Sequence, residues 1–507
     1  MHASTLRITR PFRKKMVGCF SLQTSRELKP FEDIPGPKAL PGIGNLWRYF
    51  IGEYSFERLY QTGLKKYEQF GPLVREEILP GVNLLHLFSP EDIQHMYQIE
   101  GQYPSRRSHT ALEFYRMSKP EVYNTGGLLP TNGPEWYRLR MSLQRPISSP
   151  QNVRWYINQI DGISEEFVRH IEDGQTSHSP DFLEELSKVF LEFVGLVTLD
   201  SRLGSLKPHL KPDSCPMKLI KAANDTNSQI LATDNGLQIW RHGFKTPAYR
   251  KICQSQEYFE EIASKCVREK QSEIQNRNAA DSRTEAKTLL EIYLMSAELD
   301  SKDVVAMVSD MLLAGIDTSA FTMSFILYHL AKNPSKQAAL HDEIRRLAPR
   351  PQSALDWQLL ARFTYLKAVV KETFRLNPIS IGVGRILPED GAFSGYFVPK
   401  NTVIVTQNQV SCQLESYFHQ ASRFLPERWI RGHPEYRIVH PYLVLPFGHG
   451  PRSCIARRLA EQNIYILLMR LVQRFHIEWT GDGDLDCVSQ LINRPSRALK
   501  FTFTPRA

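Results

Sequence analysis

The chain has 507 residues, 42% hydrophobic and 23% charged, a balance typical of globular proteins that excludes intrinsic disorder, collagen-like repeats and small disulfide scaffolds. Its formal charge of +9 depends largely on residues 1–26, which hold six basic residues and no acid. The rest of the chain has 57 basic and 54 acidic residues, or +3, so the charge gives little support to nucleic-acid binding.

Residues 1–29 have the composition of a mitochondrial presequence. The segment is rich in arginine and hydroxyl side chains, and no apolar run between Lys15 and Pro30 resembles the core of a secretory signal. A disordered basic tail is the alternative. We expect the folded domain to cover residues 30–507, and since no run of about 18 uncharged apolar residues occurs, no bilayer-spanning helix is predicted.

Long helical patterns dominate after residue 30 and predict one large, mainly α domain with a minor β region. Residues 403–405 and 501–503 have strand-like composition, and the polar stretch 275–287 is predicted to be a surface loop. The seven cysteines are scattered without a CxxC pair. They therefore predict neither a disulfide framework nor a structural zinc site.

One long helix is predicted from Asp300 and Ser301 to a stop before Pro334. Its apolar middle contains Ala-Gly-Ile-Asp-Thr, with Asp317 and Thr318 where polar side chains are costly to bury. The hydroxyl of Thr318 could simply bond a carbonyl one turn earlier in a slightly kinked helix. Alternatively, the small residues make room for a ligand while Asp317 and Thr318 handle protons beside it.

A second motif, Phe-Gly-His-Gly-Pro-Arg-Ser-Cys, ends at Cys454 and precedes another helical pattern. Its glycines allow a tight loop whose backbone amides point at one acceptor, and the helix start adds positive potential. Both effects favour a thiolate, which could act as a nucleophile or as a metal ligand. Arg452 supplies a cation that suits a cofactor carrying carboxylates.

The two motifs resemble the haem-binding loop and the distal oxygen-activating helix of cytochromes P450. Glu372 and Arg375 are similar to the family's Glu-x-x-Arg pair, and Arg428 lies in a segment like the one that completes that ion network. Trp136 and Arg140 resemble its Trp-x-x-x-Arg pair. The resemblance covers residues 30–507 and implies the P450 fold, with haem between a long distal helix and a proximal cysteine loop.

This resemblance implies a role for each matching residue. Cys454 would be the axial thiolate ligand of a haem b iron, and Asp317 and Thr318 would deliver protons. The haem would be held by Trp136, Arg140, Arg385, Phe447 and Arg452, whereas Glu372, Arg375 and Arg428 would be structural. One departure is Ala456, which stands where the family usually has glycine, and we expect this extra methyl to leave haem binding intact.

Electrons must come from a partner, because no complete Gly-x-Gly-x-x-Gly motif and no length for a flavin domain are present. Lys367 and Lys371 share one helix face, which by itself indicates only a solvated surface. Their surroundings are similar to those in mitochondrial P450s, where such lysines receive a 2Fe-2S ferredoxin that is reduced by NADPH through ferredoxin reductase. Arg457 and Arg458 would extend this surface. The resemblance and the presequence together predict a matrix-side enzyme peripherally associated with the inner membrane.

The predicted substrate pocket is apolar and suits a large rigid lipid, although core packing would explain the same residues: Met307, Met311, Ile379, Val383 and Leu491. Several segments resemble insect P450s that hydroxylate C-22 of an ecdysteroid precursor in moulting-hormone synthesis. Hydroxylation of another sterol or position is the alternative. A non-catalytic haem-thiolate sensor would not need Asp317 and Thr318, and a cysteine hydrolase would need a histidine base that no motif provides.

Overall fold

The computed structural model describes residues 27–175, 179–235, 238–277, 288–350 and 353–506. The predicted presequence, residues 1–29, therefore lies outside the described residues except at its end. There Lys29 accepts a backbone hydrogen bond from Phe397 at 2.9 Å and donates one to Gly395 at 3.1 Å. The folded body thus includes Lys29.

Helices make up most of the described chain, as the sequence predicts. In chain order they are α1 (Leu46–Phe50), α2 (Leu59–Phe70), α3 (Pro90–Ile99), α4 (Thr110–Met117), α5 (Gly133–Ser148), α6 (Pro150–Trp155), α7 (Ile157–Glu172), α8 (Phe182–Thr198), α9 (Cys215–Asn235), α10 (Pro247–Asn276), α11 (Leu289–Leu294), α12 (Ser301–Lys332), α13 (Pro334–Leu347), α14 (Trp357–Arg362), α15 (Tyr365–Leu376), α16 (Asn408–Ser411) and α17 (Arg457–Arg474).

The β region is small and forms separate sheets. Its strands are β1 (Leu73–Leu79), β2 (Val82–Leu87), β3 (Gly384–Ile386), β4 (Gly391–Phe393), β5 (Tyr396–Val398), β6 (Val403–Thr406), β7 (Phe475–Trp479), β8 (Cys487–Ser489), β9 (Asn493–Pro495) and β10 (Phe501–Pro505). The largest sheet has the order β1-β2-β6-β3, with β2 and β6 parallel. Antiparallel pairs join β7 to β10, β4 to β5 and β8 to β9.

The predicted long helix is α12, and its ends lie where the sequence places them. The Asp300 carboxylate caps the first turn by accepting from the Asp303 N–H at 2.8 Å. The helix stops at Lys332 because Pro334 begins α13. By length and composition α12 could cross a membrane, but 78% of its most apolar stretch is buried within the protein.

The main hydrophobic core surrounds α12. Buried side chains of α8, α15 and α17 join those of α12 in one cluster, which explains why α12 is apolar on nearly all sides. The loop prediction for residues 275–287 is wrong at its start, since α10 continues through Asn276, and residues 278–287 lie outside the described residues. The six described cysteines are free, and only Cys412 and Cys487 are buried.

Candidate active site

The cysteine loop closes tightly on itself before α17. The Cys454 N–H donates to the Phe447 carbonyl oxygen at 2.7 Å. Gly448 and Gly450 adopt φ of 68° and 71°, which favours glycine. Phe447 packs edge-on against Phe374 of α15 at 5.4 Å between ring centroids. The loop therefore holds the cysteine at the start of α17, as predicted.

Two observations indicate that the Cys454 side chain borders an internal space. It is solvent-accessible, yet burial raises the pKa of its thiol, and both observations hold if the accessible surface is enclosed by protein. The Ala456 N–H, Arg140 and Arg457 act in the opposite direction and lower this pKa. The local groups thus favour a thiolate in the direction predicted, whereas desolvation acts against them.

Ala456 departs from the expected glycine without strain. It caps α17 with φ of −97° and ψ of 15°, a conformation open to any residue. The added methyl therefore requires no change of backbone.

A stripe of partly open residues runs along the middle of α12. Met311, Ala314 and Thr318 retain accessible surface in a helix that is otherwise mostly buried. Their spacing places them on one face. The Thr318 hydroxyl donates to the Ala314 carbonyl at 2.6 Å, as the simpler of the two interpretations predicts, so its oxygen stays available to accept a hydrogen bond from the space.

Gly315 has a packing role in this helix. A Cβ there would lie 2.6 Å from Cγ2 of Val194 on α8, so the glycine lets α8 approach α12. The expectation that this small residue makes room for a ligand is corrected accordingly.

Asp317 is buried beside one polar partner. Its side chain is 1% exposed, and the Asn227 side-chain amide on α9 donates to Oδ2 at 2.9 Å. Burial raises the pKa of Asp317 to about 6, against the opposing effects of Asn227 and Arg494. A carboxyl that titrates near neutral pH can both take up and release a proton.

Four arginines form a buried cation cluster, which we define as Arg106, Arg140, Arg385 and Arg452. Arg452 donates to the carbonyls of Pro104 at 2.5 Å and Thr131 at 2.6 Å. Its guanidinium lies 4.2 Å from the ring centroid of Trp136, which is 1% exposed. Arg106 was missed by the sequence analysis.

This cation cluster has too few counter-charges. Burial, followed by the charges of the other three arginines, lowers the pKa of Arg452 to about 8. Glu100, bound to Arg385 at 2.7 Å, opposes that shift. Arg452 Nη1, Arg106 Nε and Glu100 Oε1 are buried without a hydrogen-bond partner. Such a surplus marks a place for a ligand that brings its own carboxylates.

The structure brings Glu372, Arg375 and Arg428 together in a network that is satisfied internally. Glu372 accepts from Arg375 at 2.8 and 3.0 Å and from Arg428 at 3.0 Å. Trp429 Nε1 adds a bond to the same carboxylate at 2.9 Å. Arg375 also donates to the carbonyls of Cys412, Ala421 and Arg423. This network fixes α15 to the chain that precedes the cysteine loop.

The four basic residues predicted to receive a partner belong to two helices that contact each other, α15 and α17, and we call this set the basic proximal face. Lys367 and Lys371 are on α15, and Arg457 and Arg458 begin α17. Burial and the nearby Arg457 charge lower the pKa of Lys371. The Lys371 ammonium also lies 4.0 Å from the Trp429 ring centroid.

The predicted pocket residues fall into two groups. Met311, Val383 and Leu491 are partly open, whereas Met307 and Ile379 are buried, at 5% and 7% exposure. The Asn493 N–H donates to the Ile379 carbonyl at 2.8 Å, and α12 packs against β9. These contacts place the 379–383 segment, the β8–β9 hairpin and α12 around one region.

Comparison with known proteins agrees with this geometry. The family model for cytochrome P450 matches residues 34–503. The chain belongs to the cytochrome P450 family. It is 46% identical to cytochrome P450 302a1, mitochondrial, of Drosophila melanogaster, over 94% of this chain and 96% of that protein. It is also 32% identical to the probable cytochrome P450 301a1, mitochondrial, of the same species, over 94% and 87% of the two chains.

A third relative, cytochrome P450 CYP12A2 of Musca domestica, is 32% identical over 94% of this chain and 91% of its own. The P450 chain described here is therefore a haem-thiolate monooxygenase of the mitochondrial type, with the mainly helical fold that the sequence predicts.

The residues present fit a haem. Among the described residues no cluster of three or more histidines, cysteines or acids could hold a metal ion. A flat macrocycle would contact the accessible surfaces of Cys454 and of the α12 stripe. The cation cluster, with its unpartnered guanidinium atoms, suits the two propionates.

Three polar residues of this region escaped the sequence analysis: Glu100, Arg106 and Asn227. Each is defined by a partner far along the chain, such as Asp317, which lies 90 residues from Asn227. The adjacent pair Arg106 and Arg107 was the only local signal, and two neighbouring arginines are common on any surface.

Proposed function

We propose that this P450 hydroxylates C-22 of an ecdysteroid precursor in the mitochondrial matrix, using electrons from a 2Fe-2S ferredoxin. The proposed substrate rests on the resemblance of three segments to the insect C-22 hydroxylase disembodied: residues 128–136, 375–387 and 441–450. The second of these segments includes the apolar residues Ile379 and Val383. An apolar wall with few polar anchors suits a rigid sterol.

The haem would be held at two points of this chain. Cys454 would provide the thiolate ligand, and the Ala456 N–H is directed at its sulfur. Arg106, Arg140, Arg385 and Arg452 would bind the propionates through charge-assisted hydrogen bonds, and the Trp136 ring lies against the Arg452 guanidinium. When bound, the haem supplies the activation of dioxygen that hydroxylation requires.

Protons reach the site along α12. The Thr318 hydroxyl is oriented by its bond to the Ala314 carbonyl, so its oxygen can hold a water molecule in the internal space. Asp317 is the next residue, and Asn227 fixes Oδ2 of its carboxylate. Because the pKa of Asp317 is about 6, this carboxyl can be reprotonated from bulk water after each transfer.

Electrons would be delivered at the basic proximal face. The basic proximal face lies beside the cysteine loop, since Arg457 follows Cys454 by three residues and its guanidinium is 5.3 Å from the Phe447 ring centroid. Ferredoxins of this class are acidic, so their docking there would be steered by charge. The ferredoxin would in turn be reduced by NADPH through ferredoxin reductase.

Membrane association would use the segment between α9 and α10. There Ile239 and Phe244 are 47% and 66% exposed and stand among Arg241, His242 and Lys245. Apolar side chains bordered by cations suit an anionic bilayer surface. Residues 1–29 would direct the chain to the matrix.

The direct test is product analysis. The mature holoenzyme is incubated with a 22-deoxy ecdysteroid precursor, NADPH, ferredoxin reductase and mitochondrial ferredoxin, and the product is examined by mass spectrometry and NMR. One added oxygen at C-22 is the expected result. Hydroxylation at another carbon would refute the proposed position. Substrate binding without turnover, in an enzyme whose haem the ferredoxin reduces, would favour a ligand sensor.

A further inference from the structure

Two exposed tryptophans flank one arginine near the start of α17. Trp155 ends α6 and is 46% exposed, and Trp357 begins α14 and is 44% exposed. The Arg154 guanidinium carbon lies 3.8 Å from the Trp357 ring centroid. We call Arg154, Trp155 and Trp357 the tryptophan edge. Exposed aromatic surface beside arginine is characteristic of protein interfaces.

The tryptophan edge adjoins the basic proximal face through α6. Arg458 donates from Nη1 to the Ser148 carbonyl, two residues before α6. The Gln462 side-chain amide donates to the Val153 carbonyl within α6 at 3.0 Å. These two bonds hold α6, which contains Arg154 and Trp155, against the first turns of α17.

The same edge adjoins the basic proximal face a second time, through α14. The Lys367 ammonium donates to the Ala361 carbonyl of α14 at 2.7 Å. Lys371 lies one turn further along α15, close to the Arg457 charge. The contacts of α6, α14 and α15 thus surround the start of α17, the helix that follows Cys454. The tryptophan edge and the basic proximal face therefore form one continuous surface.

The charge of this surface is predominantly positive. Five cations belong to it: Arg154, Lys367, Lys371, Arg457 and Arg458. The acids next to them in the described part of the chain are engaged. Glu461 pairs with Arg457 at 3.1 Å, and Asp356 caps α14 by accepting from the Leu359 N–H at 2.7 Å. A partner that fits here is acidic and carries an apolar patch beside its charges.

We propose that the tryptophan edge is the apolar half of the docking surface for the acidic 2Fe-2S ferredoxin. This inference rests on the proposed function, which names the ferredoxin as electron donor. The lysines and arginines steer the encounter, whereas Trp155 and Trp357 hold the complex once it has formed. Tryptophan and arginine are enriched among the few residues that dominate binding energy at protein interfaces, and redox complexes have some of the smallest interfaces.

The experiment compares two sets of variants in the mature holoenzyme. Trp155→Ala and Trp357→Ala are each titrated with mitochondrial ferredoxin at low and moderate salt, and association and dissociation rates are measured. We expect each variant to raise Kd about five- to tenfold through faster dissociation, to a similar extent at both salt concentrations. Lys367→Glu with Lys371→Glu should instead slow association, mainly at low salt.

Controls separate docking from folding. Phe397→Ala removes a comparably exposed aromatic, 39% accessible, from the β4–β5 hairpin and should leave Kd unchanged. All variants are checked for the thiolate-haem spectrum with carbon monoxide. If an alanine variant loses that spectrum, Trp155→Gln and Arg154→Gln replace it, and the same loss of affinity is expected from Trp155→Gln.

Three outcomes would overturn the inference, and they are distinguishable. Normal ferredoxin affinity in both tryptophan variants, with weaker binding in the lysine variant, would refute the tryptophan edge alone. Failure of the unaltered enzyme to bind ferredoxin at low salt would refute the proposed partner. Loss of self-association in the tryptophan variants, with unchanged ferredoxin binding, would assign the edge to a second copy of this chain.

Discussion

Two clusters of buried arginine in this P450 differ in how their charges are balanced. In the Glu372 network, two guanidiniums share one carboxylate, and backbone carbonyls complete the set. In the cation cluster of the described residues, Glu100 is paired with Arg385 and Asp310 acts on Arg106 while paired with Arg116 outside the cluster. Polar atoms of Arg106, Arg452 and Glu100 are left without partners. A network whose charges are balanced internally indicates a structural role. A surplus of buried positive charge indicates a binding site for an anion.

The largest effect is expected from breaking the satisfied network. Glu372→Gln leaves two buried arginines without a counter-charge, which costs about 3–5 kcal/mol. The thermal unfolding temperature and the yield of haem-loaded protein should both fall sharply. Glu461→Gln is the matched control, because its exposed pair with Arg457 contributes at most about 1 kcal/mol. Equal unfolding temperatures for the two variants would contradict the assignment.

Asp317 is intermediate between the two clusters, since it is buried with one hydrogen-bond partner, Asn227, among the described residues. Its pKa of about 6, against an ordinary 3.8, means that the folded state holds the proton more tightly. Stability is therefore lost as pH rises from about 4 to 6. Asp317→Asn removes this cost and should be more stable by up to about 3 kcal/mol above pH 6.

The advantage of Asp317→Asn should vanish near pH 4, where both side chains are neutral. Thermal unfolding of the holoenzyme across this pH range checks the sign. A stability difference that stays constant from pH 4 to pH 8 would show that Asp317 does not titrate as the structure indicates.

Two threonines of α12, Thr318 and Thr322, differ in a similar way. The buried Thr322 donates to the Thr318 carbonyl at 2.7 Å, whereas the Thr318 oxygen faces the internal space. Thr318→Ala should keep the haem but lower product formation by about 10²-fold, with peroxide released in its place. Product and peroxide per NADPH are measured, and Thr322→Ala should remain coupled. Full coupling in Thr318→Ala would remove it from proton delivery.

The smallest effect is expected in the cation cluster, which has a surplus of positive charge. The Arg140 side chain has one hydrogen-bond partner among the described residues, Gln144 at 2.7 Å. Arg140→Met should therefore leave the fold intact and accelerate haem loss to apomyoglobin about tenfold, as expected for one charge-assisted bond. If Arg140→Met lost its fold as severely as Glu372→Gln, the distinction between a structural and an anion-binding cluster would be contradicted.

The parts of the fold that local signals control were predictable from the sequence. Asp300 and Pro334 mark the ends of α12, and the glycines of the cysteine loop mark its turn, because caps and positive φ depend on nearby residues. The Glu372 network also follows from motifs, although only the structure shows that Trp429 and three carbonyls complete it.

The remaining features depend on distant contacts. Gly315 is required by Val194 on another helix, and Asn227 meets Asp317 only after α9 packs on α12. The thiol of Cys454 illustrates the same limit, because its local surroundings favour a thiolate while burial by the whole fold raises its pKa. Desolvation belongs to the tertiary structure and has no signature in a short motif.

The central claim is that Cys454, below the internal space, binds the iron of the haem. The most direct measurement is the difference spectrum of the reduced carbon monoxide complex in Cys454→Ser, with Cys412→Ser, the buried thiol beside the Leu443 carbonyl, as control. We predict that Cys454→Ser loses the long-wavelength thiolate band and that Cys412→Ser keeps it. A thiolate band that survives in Cys454→Ser would contradict the account.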